Sequence, residues 1–145
     1  MARTSSEIVI AAPRADIMAV IADFAHYPDW ATGVRRADIV SGDASRPDQV
    51  HFVLDAAPIR DEYDLGYQWN GDDGVSWTLV GSGSMLTGMD GSYELDEVAD
   101  GTRVTYRLAV NLSIPMLGML KRKAEKVIID TALKGLKRRV EATRA

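Results

Sequence analysis

The 145-residue chain contains no cysteine, which excludes disulfide scaffolds, thiolate metal sites and cysteine nucleophiles together and makes a reducing cytoplasm its natural setting. It has two histidines, His26 and His51, the side chains that titrate near neutrality without help from their surroundings. They are far apart and lack His-x-x-x-His spacing, so no metal site is expected. No apolar run approaches the ~20 residues that span a bilayer. The opening Met1–Glu7 has no basic segment leading into an apolar stretch, so a standard export signal is not expected either. Gly81-Ser82-Gly83-Ser84 looks like a phosphate cradle, but it joins strands instead of opening a helix and no Gly-Lys-Ser/Thr follows, so it reads as a flexible hairpin. A Gly-x-Ser-x-Gly elbow is missing as well, which leaves serine-hydrolase chemistry without support.

What is present is the composition of one globular domain spanning residues 1–145, with 46% hydrophobic residues available for a core. Charge is unevenly spread. Met116–Ala145 holds nine basic and three acidic residues, whereas the stretch before it holds eight basic and eighteen acidic. The basic residues are spaced as a helix face without interleaved aromatics, which argues against nucleic acid and for a helix complementing its own acidic body.

Ser6–Ala12 is short, β-branched and ended by Pro13, the pattern of a first strand. Pro13 and Asp16 suit a helix start, and Ile17, Val20, Ile21 and Phe24 recur at helical spacing. His26-Tyr27-Pro28-Asp29-Trp30 interrupts that helix and leaves room for a second short one. From Val34 to Asn111 the period is two. Strands are expected over Val34–Val40, Gln49–Asp55, Arg60–Trp69, Val75–Val80, Met85–Glu97 and Thr102–Asn111, joined by turns rich in Gly, Asp and Asn. Met116–Thr143 then predicts one long helix. Leu117, Leu120, Ala124, Val127, Ile128 and Thr131 face one way and Ile129, Leu133, Leu136 and Val140 fall round the cylinder, an arc wide enough to be embraced by a curved sheet. The small residues Ala124, Thr131, Ala132 and Gly135 are expected to leave space beside that helix.

Several side chains are candidates for chemistry. Trp30, Phe52, Tyr63, Tyr67, Trp69, Trp77, Tyr93 and Tyr106 sit mostly at positions that alternate inward, with Leu54 beside them. Singly each is core packing. Together their hydroxyl and indole donors on an apolar wall resemble a binding pocket, because a buried donor without a partner costs about 1–3 kcal/mol. Met116 and Met119, with Met85 and Met89, could equally form an adaptable rim or fill gaps. His51 lies between Val50 and Phe52 and therefore points opposite to them. Its constellation with Tyr63 or Asp64 is the best acid–base group available. The carboxylates Asp61-Glu62-Tyr63-Asp64 mostly alternate onto the polar face, and Asp72-Asp73 read as turn chemistry.

A strand, two short helices, six antiparallel strands and a long helix is the order of the START-like helix-grip fold. The segment Ile8-Val9-Ile10-Ala11-Ala12-Pro13…Val20-Ile21-Ala22-Asp23-Phe24…Tyr27-Pro28-Asp29-Trp30 resembles the opening of the SRPBCC superfamily, specifically its polyketide cyclase/dehydrase and lipid-transport family. Gly101-Thr102-Arg103-Val104-Thr105-Tyr106 resembles that family's lead into the last strand. The resemblance implies an α+β domain with a seven-stranded antiparallel curved sheet wrapped around a long C-terminal helix. It also implies a cavity between sheet and helix, where Leu117, Leu120, Ala124 and Ile128 would meet the inward aromatics. Three readings follow. The first is binding of a hydrophobic or amphipathic small molecule, such as a lipid, isoprenoid or polyketide, with no cofactor. The second is a cyclase, aromatase or dehydratase, with His51, Tyr63 and Asp64 as its candidates, since one fold hosts both binding and catalysis. The third is an interaction module using Lys123, Lys126, Lys134 and Lys137 on the basic helix face, including peripheral membrane contact. The oligomeric state is not marked.

Overall fold

A computed structural model describes residues 3–56, 59–113 and 118–144. The order is β1 (Thr4–Ile10), α1 (Arg14–Ala22), a 3₁₀ turn (Phe24–His26), α2 (Tyr27–Trp30), β2 (Val34–Gly42), β3 (Pro47–Ala56), β4 (Ile59–Asn70), β5 (Gly74–Val80), β6 (Leu86–Val98), β7 (Gly101–Leu112) and α3 (Gly118–Arg144). The strands form one antiparallel sheet in the order β1-β7-β6-β5-β4-β3-β2. Every expected strand is present. The first ends at Ile10 instead of Ala12, because Ala11 and Ala12 turn towards Pro13 and the Ala12 N–H bonds back to the Ile10 carbonyl at 2.9 Å.

Register carries the inner face across the sheet: Phe52 is opposite Tyr63, Tyr67 opposite Trp77, and Tyr93 opposite Tyr106. Alternation puts Glu62, Asp64, Glu94 and Asp96 on the other face. On the inner face, α3 packs along β1 and β7 through Ile129, Leu133, Leu136 and Val140, all at most 2% exposed. Successive members lie three or four residues apart, so they make one stripe that removes its apolar surface from water together with Val104 and Leu108.

Two details of α3 differ from the sequence expectation, and a third goes beyond it. Val127, grouped with the apolar arc, is 59% exposed, because the arc that packs on β1 and β7 is centred on Ile129 and leaves Val127 on the solvent side. Gly135 makes no space: a Cβ there would stand 2.5 Å from the Trp30 carbonyl oxygen, so the missing side chain is what lets α2 approach the helix. Glu125 is buried despite its charge, at 1% exposure. Its carboxylate accepts hydrogen bonds from Thr4 Oγ1 at 2.6 Å and from the Val110 N–H at 2.8 Å, which is how a buried charge is tolerated and how α3 is tied to both β1 and β7.

Candidate functional site

Ten aromatic rings form one connected sheet-and-helix wall. Phe24, delivered by the turn after α1, lies 4.7 Å from Tyr27 and 5.1 Å from Tyr67, with Phe52 at 6.1 Å. Trp77 continues the wall with Tyr67 at 5.8 Å, Tyr93 at 5.4 Å and Tyr106 at 5.6 Å, while Tyr63 stacks on Phe52 and Trp69 on Tyr67. Trp30 joins through Tyr27 at 4.9 Å. The edge-to-face and tilted geometries among them are those aromatic rings prefer. Trp77 can lie flat on the sheet because its opposite residue on β6 is Gly91, where a Cβ would come within 2.4 Å of the indole.

Of the aromatic positions singled out in the sequence, Trp30, Phe52, Tyr63, Trp77, Tyr93 and Tyr106 are buried, and Tyr67, Trp69 and Leu54 are partly buried against the same core. Ala124 and Ile128 lie on α3 as half-buried residues, on the flank turned away from its tightly packed stripe. Leu117 and the side chain of Leu120 lie outside the described residues, as do Met116 and the side chain of Met119. Met89 is partly buried against the core.

The polar atoms of this wall are unevenly used. Tyr27 donates its hydroxyl to the Ile21 carbonyl and Trp69 its indole N–H to the Pro47 carbonyl at 2.8 Å. Among the described residues the hydroxyls of Tyr63, Tyr67, Tyr93 and Tyr106 have no hydrogen-bond partner, and the buried Trp30 Nε1 has none either. Burial pushes all four of those tyrosines upward, and for Tyr67 the phenols of Tyr27, Tyr63, Tyr106 and Tyr93 add to the effect. The four phenols therefore gather in one interior region, and each stays protonated at neutral pH.

The acid–base constellation divides between the two faces. His51 Nδ1 lies 2.6 Å from Asp64 Oδ1, and Gln49 Nε2 donates to Asp64 Oδ2 at 2.6 Å, all on the outer face. Tyr63 projects from the inner face, so His51 and Tyr63 do not meet. The hydrogen bond to Asp64 raises His51 above its ordinary 6.5, against a smaller lowering by burial, while the same contact lowers Asp64. The pair's contribution to stability is complete between the unfolded values of the carboxylate and the histidine; it fades as pH rises through the raised histidine value and as pH falls through the lowered carboxylate value. His26 is exposed and bonds Asp23 at 2.8 Å. Among the described residues no cluster of His, Asp or Glu could hold a metal ion.

Sequence reasoning missed Asp61. It is 6% exposed on the inward side of β4, opposite Leu54. Its carboxylate accepts the backbone N–H groups of Glu62 and Ser84 on Oδ1, at 2.9 and 2.7 Å, and of Met85 and Leu86 on Oδ2, at 2.9 and 2.8 Å. The nest of amides is thus Ser84–Leu86, at and just past the end of the Gly81–Ser84 stretch, and the anion it gathers is the chain's own. A period-two reading carried through Tyr63 would have turned Asp61 inward. Two open hollows of about 690 and 610 Å³ lie elsewhere, one along Gln68, Ser76 and Glu94 on the outer face and one beside Arg14 and Asp100.

A curved antiparallel sheet closed by one long helix, with an aromatic wall between them, defines a START-like helix-grip domain. The chain belongs to the polyketide cyclase/dehydrase and lipid transport family, whose model matches residues 1–141. No curated protein sequence matches it. Among solved structures it is similar to a START superfamily protein from Mycobacterium smegmatis, with 19% identity, 97% of this chain and 98% of that one covered, and a TM-score of 0.88. It is also similar to the Zhui aromatase/cyclase from a Streptomyces species, with 11% identity, 99% and 96% covered, and a TM-score of 0.77. The di-domain aromatase/cyclase BexL matches at 17% identity and a TM-score of 0.78, over 97% of this chain and 47% of that one. No helix among the described residues is long and apolar enough to cross a membrane.

Proposed function

We propose that the protein binds a largely apolar small molecule carrying neutral oxygen groups, held between the aromatic wall and the Ala124–Ile128 flank of α3. The observation that carries this reading is the set of gathered phenols without protein partners. Ketone, quinone or hydroxyl oxygens on a ligand would give these donors acceptors at several points at once, and would relieve the roughly 1–3 kcal/mol that an unpaired, fully buried donor such as Trp30 Nε1 costs. A carboxylate or phosphate headgroup is a poorer match: Arg46, whose guanidinium lies over the Trp69 ring at 5.6 Å, is already paired with Asp72, and the buried acids Asp61 and Glu125 would repel an anion and are already engaged.

Native mass spectrometry of gently purified protein, with mass analysis of its organic extract, tests this directly. A stoichiometric apolar passenger is expected, and Ala124→Phe is expected to lose it while unfolding within a few degrees of the wild type. Unchanged occupancy in that variant would place the ligand elsewhere. His51→Ala should leave occupancy unaltered, since His51 is on the outer face.

The second reading, a cyclase or aromatase, is favoured by the family and by the similarity to the Zhui enzyme. On this chain the phenols would act as hydrogen-bond donors polarising carbonyl groups, as groups held protonated can do. Turnover of a poly-carbonyl substrate that survives His51→Ala but fails in Tyr106→Phe would select it.

A further inference from the structure

The exposed face of α3 carries more positive charge than the molecule uses. Of the helix's acids, Glu125 is buried, Asp130 is held by Lys126 at 2.9 Å and Glu141 by Lys137 at 2.7 Å. Arg139 reaches Asp29 at 3.9 Å. Arg122, Lys123, Lys134 and Arg138 are exposed and form no ion pair among the described residues. At 100° per residue, Lys123, Val127, Lys134 and Arg138 fall within one stripe about 60° wide. Val127, at 59% exposure, stands in the middle of it. On the opposite side of the sheet, Glu94 and Asp96 are paired with Arg107 and Arg103, and Asp64 with His51, so the unpaired cations of α3 stand out against a face whose charges are largely matched.

We infer that this stripe docks the protein on an anionic lipid bilayer, α3 lying in the plane of the headgroups. A straight row of long basic side chains around an exposed aliphatic one matches such a surface: the ammonium and guanidinium groups reach phosphate while the valine enters the headgroup layer. Nucleic acid is a weaker match, because no aromatic side chain interrupts the described stripe to stack on bases. The unpaired charge of the stripe turns α3 towards the membrane. This inference is independent of what the interior holds.

Sedimentation with phosphatidylcholine vesicles, with and without phosphatidylglycerol, tests it. Wild type is expected to partition onto the phosphatidylglycerol vesicles alone, and to come off as salt shortens the reach of the charges. At about fivefold per cation removed, the triple variant Lys123→Gln, Lys134→Gln, Arg138→Gln should bind roughly a hundredfold more weakly, with its thermal midpoint unchanged because these side chains are exposed. Equal binding to both vesicle types, salt-independent binding, or full binding by the triple variant would each overturn the proposal. So would retention on immobilised polyglutamate without binding to anionic vesicles, which would make the partner an acidic protein surface. The salt series uses the unaltered protein, so the proposal stays exposed to refutation even if the variant folds poorly.

Discussion

Asp61→Ala is expected to destabilise the protein by about 4 kcal/mol, well above the effect of an ordinary surface substitution. The carboxylate receives four backbone N–H groups, three of them from the loop that leads into β6. Truncation leaves those amides facing one another around a hole; water reaches some of them, which limits the loss. For a domain of this size the thermal midpoint should fall by more than about 10 °C. Asp61→Asn, which keeps one acceptor oxygen, should lose about half as much. The pH dependence supplies a second readout. Burial raises this carboxyl, but the four amides more than offset it and hold it below its ordinary 3.8. Its contribution is therefore present above that value and is lost as pH falls through the folded one. Denaturant unfolding of the variant should show a shallower acid limb than the wild type. A loss under about 1 kcal/mol would mean that the loop folds without the anion.

Gly91→Val is expected to abolish ligand occupancy at a stability cost of only about 1–3 kcal/mol. The indole of Trp77 occupies the space a side chain at Gly91 would need. Strand β6 lies behind it, so the ring's free direction is away from the sheet, into the region that Tyr67, Tyr93 and Tyr106 border. A displaced Trp77 would fill the proposed binding space from within. The double variant Gly91→Val, Trp77→Ala should recover occupancy, because the clash is removed along with the ring. Loss of the co-purified mass in the single variant and its return in the double one would tie the ligand to this wall. Occupancy untouched by Gly91→Val would sink the assignment.

Both predictions rest on residues that differ in how legible they were. The sheet could be read from the alternation of Tyr63, Leu65, Tyr67 and Trp69 with polar neighbours, and its hairpins from glycine, asparagine and aspartate at the turns, because both patterns are local. The same alternation put His51 opposite Phe52. Asp61 was hidden because a charged residue in a run of acids looks solvated; alternation from Tyr63 turns it inward, but what satisfies it there, donors from a loop more than twenty residues later, is not local. Glu125 is a similar case. Its partners lie on β1 and β7, and helical spacing alone does not distinguish a clamped carboxylate from a surface one. Val127 shows the opposite error: an apolar residue near a wide apolar arc was assigned to it, when the axis of the arc was set by where β1 and β7 press on the helix. That wall residues leave hydroxyls unpaired could not be read from sequence, since the partner of a hydroxyl is a matter of tertiary contact.

The place of β1 in the sheet bears on how the chain is made. Its neighbour is β7, the last strand to be synthesised, and Thr4 bonds Glu125 across 121 residues of sequence. A ribosome therefore releases the first strand long before anything exists for it to pair with, while β2 to β7 can add hairpin by hairpin as they emerge. Closure by such distant contacts is slow in folding terms. In the interval the aromatic wall stands uncovered, so the nascent chain, more than the finished protein, is the species that exposes apolar surface to other molecules.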